Sequence, residues 1–157
     1  VYLDDSEFDL IISTDAAFVP GERPHALNLN RTELQIDTSG ALPTVLVVDD
    51  SLLIRKVLIK LLSENGYQVV GEATNGREGV ELYKELEPDI VTLDITMPVM
   101  DGITALKLIK EYDPEAMVAM ISAAGQKDKL MEALREGAEL FFTKPFNAQE
   151  VISTLRS

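Results

Sequence analysis

From Thr44 onward the chain alternates five times between a short, almost wholly apolar run and a longer amphipathic one. That pattern restricts the fold sharply. A strand whose residues are apolar without alternation is covered on both faces, which happens in parallel sheets crossed by helices. Five such units predict an α/β, doubly wound sheet of five parallel strands, because the closed barrel of the same unit needs eight.

The runs place strands at Val45-Leu46-Val47-Val48, at 67–73, at Ile90-Val91-Thr92-Leu93, at 117–121 and at Leu140-Phe141-Phe142. Ser51 is set to cap a first helix with Leu53, Val57 and Leu61 on one face, stopped by Asn65-Gly66. A second helix from about Asn75 turns Val80 and Tyr83 inward. A third follows Asp101-Gly102 with Ile103, Leu106 and Ile109. A fourth holds Leu130, Met131 and Leu134 and stops at Gly137. A fifth starts near Asn147 and includes Val151, Ile152 and Leu155.

Four of these strands end on polar residues: Asp49-Asp50, Asp94, Ser122 and Lys144. The carboxyl ends of parallel strands share one rim, where ligands of open α/β sheets bind. Three carboxylates on one rim repel each other unless a cation offsets them. Mg2+ suits the place, since it needs one or two carboxylates plus a phosphate oxygen and keeps its remaining waters. With Lys144 adding charge and Ser122 a hydroxyl donor, an aspartate there can accept a phosphoryl group. Singly, each residue has a plainer role. Strand-end aspartates form turns, serines cap helices and lysines lie in solvent. Phe141 and Phe142 read most simply as core strand residues. Four polar endings on one rim are harder to explain that way.

The stretches Val47-Val48-Asp49-Asp50-Ser51, Leu93-Asp94-Ile95-Thr96-Met97-Pro98, Met100-Asp101-Gly102, Ser122-Ala123 and Thr143-Lys144-Pro145-Phe146 resemble the receiver domains of two-component response regulators, especially the single-domain chemotaxis regulators. The resemblance covers residues 44–157 in order and spacing. It implies a flavodoxin-like sheet of strand order 2-1-3-4-5. It implies Asp94 as phosphoacceptor and Mg2+ held by Asp50 directly, by Asp49 mainly through water, by Asp94 and by the backbone carbonyl of Thr96. Ser122 would turn toward the phosphoryl group, Lys144 would pair with it, and the Lys144–Pro145 bond would be cis. Phe141 would be the switch aromatic that moves inward when Ser122 shifts, changing the surface of helix four, strand five and helix five. A histidine kinase would be the donor and a protein the output target. Thr96 and Ala124, each two residues beyond a site residue, are modest in size, so a short to moderate phosphoryl lifetime is expected.

Residues 1–43 form a separate segment bounded by Thr38-Ser39-Gly40-Ala41-Leu42-Pro43. Phe8-Asp9-Leu10-Ile11-Ile12-Ser13, Ala26-Leu27-Asn28-Leu29-Asn30 and Leu34-Gln35-Ile36 read as short extended runs, too few for an independent core. Val1-Tyr2-Leu3-Asp4-Asp5-Ser6-Glu7-Phe8-Asp9-Leu10 is similar to the final strand of CheX-type chemotaxis phosphatases, which implies the tail of an upstream domain; the plainer reading is an acidic linker. A start at valine likewise suggests a piece of a longer protein. His25, the sole histidine, reads as a loop residue.

The net charge of −13 is spread over both parts: eight acids and two bases in 1–43, nineteen and twelve in 44–157. Nucleic-acid backbones would repel such a chain, whereas divalent cations would be drawn to it. No run is apolar enough to span a bilayer and there is no cysteine, which fits a cytoplasmic protein. Two other functions compete. A haloacid-dehalogenase-like phosphatase also uses an aspartate and Mg2+ but wants a second acid two residues on, where this chain has Thr96. A docking pseudo-receiver without phosphorylation would not need the full set of Asp49, Asp50, Asp94, Ser122 and Lys144. The expectation is a signalling switch rather than an enzyme, with output through protein contact.

Overall fold

The computed structural model describes residues 41–156. The elements run β1 (Thr44–Val48), α1 (Leu52–Glu64), β2 (Gln68–Ala73), α2 (Gly76–Leu86), β3 (Ile90–Asp94), α3 (Gly102–Tyr112), β4 (Val118–Ser122), α4 (Lys127–Arg135), β5 (Leu140–Thr143) and α5 (Ala148–Leu155). All strands pair in parallel, in the order β2-β1-β3-β4-β5. The expected doubly wound sheet is therefore present.

Side chains alternate across the sheet and divide the core in two. Leu46, Val48, Val91, Leu93, Val118 and Met120 pack against Val80, Tyr83, Ile103, Leu106 and Ile109 of α2 and α3 and Ala133 of α4. Val45, Val47, Ile90, Ala119, Ile121 and Phe142 pack against Leu58, Leu61 and Leu62 of α1 and Val151, Ile152 and Leu155 of α5. Helix starts are fixed by side chains that accept orphan backbone N–H groups. Ser51 serves Ile54, Asn75 serves Glu78, Asp101 serves Thr104 and Asn147 serves Glu150.

Three expectations are corrected. The inward stripe of α1 is Leu58, Leu61 and Leu62 with Ile54 beside them, while Leu53 is 70% and Val57 43% exposed. The helix reads LLIRKVLIKLLSE, apolar on several sides, so periodicity alone leaves its rotation open. In α4 the buried residue is Ala133; Leu130 is partly buried, and Met131 and Leu134 are exposed. Of the phenylalanine pair, Phe142 is core and Phe141 is 44% exposed, because adjacent strand residues face opposite ways.

The extended runs at 8–13, 26–30 and 34–36, His25 and the CheX-like stretch all lie outside the described residues. Among the described residues no helix is long and apolar enough to cross a membrane.

Candidate functional site

Strand order reverses between β1 and β3, and the acids flank that point. Asp49 and Asp50 follow β1, and Asp94 ends β3. One carboxylate oxygen from each of the three lies within 4.8 Å of the others. Asp49 is fully buried and Asp94 nearly so, whereas Asp50 is exposed.

The backbone around Asp49 is held on several sides. Its N–H donates to the Ala73 carbonyl at 3.0 Å, and its Oδ1 accepts the Ser51 N–H at 2.8 Å. The Arg55 guanidinium donates to the Asp49 carbonyl at 2.8 Å and is itself anchored on Glu72 at 2.9 Å. Sequence reasoning missed Arg55; its one signal is a base in the first turn of the helix that follows the acid pair.

The remaining Asp49 oxygen, Oδ2, is buried without a hydrogen bond among the described residues. Its ionic neighbour is Lys144 Nζ at 3.3 Å, and that nitrogen also lies 3.4 Å from Asp94 Oδ1. One ammonium is thus shared by two of the three clustered carboxylates, leaving the excess of negative charge expected from the sequence. The Asp94 carboxyl is pushed up to about 6, chiefly by burial and then by Asp49; Lys144 draws it back down and Asp50 adds to the rise. A buried carboxylate oxygen without a hydrogen bond, beside two more acids, fits a hard divalent cation.

Ser122 is buried at the end of β4, where its carbonyl accepts the Lys144 N–H at 2.8 Å. That bond ties the end of β4 to the turn carrying Lys144. The Lys144–Pro145 peptide is cis, as the resemblance implied. Phe141 pairs in register with Met120 of β4, one position from Ile121, which pairs with Asp94.

The loop from β3 to α3 is shaped by Gly102. Its N–H donates to the Ile95 carbonyl at 2.8 Å. A Cβ at this position would stand 2.0 Å from the Asp94 carbonyl oxygen, so a glycine is needed for α3 to begin there. Thr96 is exposed in the same loop. Its Oγ1 accepts from Gln126 Nε2 at 2.6 Å, and Gln126 Oε1 accepts the Ala123 N–H at 2.6 Å. Gln126 was also missed from the sequence, since no periodicity marks a contact across 30 positions.

The structure thus brings Asp49, Asp50, Asp94 and Lys144 together, with Ser122 and Thr96 on the adjoining strand end and loop; Phe141 faces outward on β5. The model of the response regulator receiver domain matches residues 45–156. Over 111 residues the chain is 51% identical to the chemotaxis protein CheY of Thermotoga maritima and 49% identical to that of Bacillus subtilis, which covers 71% of this chain and 92% of each relative. Among solved structures it is similar to the CheX-CheY-BeF3-Mg+2 complex from Borrelia burgdorferi, at 42% identity and a TM-score of 0.69 over 71% of this chain and 85% of that one. It is also similar to the response regulator domain of Thermotoga maritima CheB, at 41% identity and a TM-score of 0.67 over 74% of this chain and 95% of that one.

Proposed function

The chain belongs to the response regulator receiver family, and from that premise we propose that Asp94 accepts a phosphoryl group from a histidine kinase and so switches the surface of α4, β5 and α5. Receivers of this CheY type are signalling switches of two-component systems, not turnover enzymes. The observation that carries the residue assignment is Lys144 set between Asp94 and a fully buried Asp49 whose Oδ2 lacks a hydrogen bond among the described residues.

An Asp94 carboxylate oxygen attacks the phosphorus of the donor's phosphohistidine. The P–N bond breaks, its electron pair returns to the imidazole nitrogen, and an aspartyl phosphate forms. Asp49, Asp50, Asp94 and the Thr96 carbonyl would hold Mg2+, which when bound offsets charge on the transferring oxygens. Lys144 supplies charge from beside the acceptor, and the Ser122 hydroxyl turns to donate to a phosphoryl oxygen. Phe141, exposed on β5, then rotates inward and alters the face it shares with α4 and α5. Hydrolysis resets the switch: water attacks phosphorus, the bond to Asp94 oxygen breaks, and inorganic phosphate leaves. Thr96 and Ala124 leave room for that water.

In this reading residues 44–157 are the receiver and 1–43 an appended segment. The output partner is a protein met in the cytoplasm, in chemotaxis-type signalling, as identity to chemotaxis proteins supports. The net charge of −13 argues against nucleic acid. Thr96 in place of a second acid argues against a dehalogenase-type phosphatase, and the complete acid, serine and lysine set argues against a pseudo-receiver.

Incubation with acetyl phosphate or phosphoramidate and Mg2+, followed by intact mass, tests the proposal. Wild type is expected to gain one phosphoryl group and Asp94→Ala none. No gain in wild type, or an equal gain in the variant, would overturn it.

A further inference from the structure

Gln126 stands immediately before α4, where a helix ordinarily has a capping side chain, yet its carboxamide makes no cap bond. It spans two loops instead, holding the Ala123 N–H with Oε1 and the Thr96 hydroxyl with Nε2, each at 2.6 Å. Both partners adjoin the rim, Thr96 two residues beyond Asp94 and Ala123 next to Ser122.

The strand ladder fixes the direction of the Ala123 N–H. The Ile95 N–H donates to the Ile121 carbonyl at 3.1 Å. In a continuing parallel ladder the next rung would carry the Ala123 N–H to the Ile95 carbonyl. That carbonyl is taken by the Gly102 N–H at 2.8 Å. The Ala123 N–H therefore projects toward the end of β3, beside the acceptor, and Gln126 fills it. A fixed backbone donor beside the place where negative charge collects stabilises that charge when it is free to do so. Here it is withheld.

We propose that Gln126 is a latch across the acceptor. In the unphosphorylated protein it holds the Ala123 N–H and the Thr96 hydroxyl; phosphorylation of Asp94 displaces it and gives the Ala123 N–H to a phosphoryl oxygen. The displacement reaches α4 directly, because the Leu130 N–H donates to the Gln126 carbonyl at 2.9 Å and the Gln126 N–H donates to the Ala123 carbonyl at 3.3 Å. Gln126 is thus a positioning residue that couples the acceptor to the helix presenting Met131 and Leu134. The inference rests on the phosphoacceptor reading and adds a regulator to it.

The test uses the full chain with phosphoramidate and Mg2+; its P–N bond breaks on transfer and ammonia leaves. Phosphate gain is followed by mass and the Ala123 amide by hydrogen exchange in NMR. Gln126→Met keeps side-chain length and removes both hydrogen bonds. It is expected to speed Ala123 exchange in the unphosphorylated protein and to raise the phosphorylation rate about three- to tenfold, the factor of one hydrogen bond. Gln126→Glu keeps an acceptor for the amide, so Ala123 stays protected and the rate does not rise. On phosphorylation of wild type, the Ala123 amide and the Gln126 side-chain NH2 resonances should shift together. Unchanged Ala123 exchange in Gln126→Met would overturn the latch, as would a phosphorylation rate no higher than that of a normally reacting wild type. A wild type that gains no phosphate would instead overturn the phosphoacceptor reading and the latch's role with it.

Discussion

Lys144 reaches Asp94 from two strands away: its Nζ, just beyond β5, stands 3.4 Å from Asp94 Oδ1 at the end of β3. The same nitrogen is 3.3 Å from Asp49, so its removal strips the ammonium from two buried carboxylates at once. Lys144→Ala is expected to lose about 1–3 kcal/mol of stability in metal-free solution at neutral pH, as unpaired buried charges do. Added Mg2+ should restore most of the loss, because it supplies the missing charge at the same acids. Thermal melts with EDTA and with Mg2+ decide this; equal losses in both would show that Lys144 does not serve the acids.

The Asp94 carboxyl is pushed up to about 6 by burial and by Asp49. Its folded value exceeds its unfolded one, so between about pH 4 and 6 the folded state binds more protons. The destabilisation is therefore absent below the unfolded value and complete above the folded one. Metal-free wild type should lose about 1–2 kcal/mol relative to Asp94→Asn as pH rises through that window, after discounting for solvent screening. Paired denaturation curves at pH 5 and 7.5 check it, and parallel behaviour of the two proteins would contradict it.

Gly102 and Gly125 make a matched pair of tests. A Cβ at Gly102 would meet the Asp94 carbonyl oxygen at 2.0 Å, whereas at Gly125, with φ +86°, it would meet nothing within 4 Å among the described residues. Gly102→Ala should cost about 2–3 kcal/mol through the backbone clash. Gly125→Ala should cost about 1 kcal/mol, the ordinary cost of a side chain in the left-handed region. Urea unfolding that ranks them the other way would refute the close-approach argument.

Thr92 sits in the centre of β3, fully buried, with a hydroxyl that has no hydrogen-bond partner among the described residues. Valine has nearly its shape, no polar atom and a strong preference for strands. Thr92→Val should stabilise the protein by about 1 kcal/mol. A lower denaturation midpoint in the variant would mean that the hydroxyl has a partner after all.

Much of this was legible in the sequence, for identifiable reasons. Strands covered by helices leave apolar runs, and four of the five runs lead directly into a residue of the rim. Ser51 could be read as a cap, and helix starts could be placed at Asn75, Asp101 and Asn147, because the signals that begin a helix are local. The rotation of α1 could not, since Leu53 and Val57 form as good an apolar row as the one that faces the core. Arg55 left only the mark of a base early in a helix, and Gln126 left none, because both act through backbone groups: a guanidinium on the Asp49 carbonyl and a carboxamide on the Ala123 N–H. Polar contacts of that kind have no period. Phe141 shows the same limit from another side, because its place on the outer face of β5 follows from how the edge strand is covered.

The most direct test of Asp94 as acceptor is to trap the product. Borohydride reduces an aspartyl phosphate to homoserine, and peptide mass spectrometry then locates the altered residue. After phosphorylation with phosphoramidate and Mg2+, homoserine is expected at position 94 and nowhere else. Homoserine at Asp49, Asp50 or another acid, or none at all in protein that has gained phosphate, would contradict the assignment.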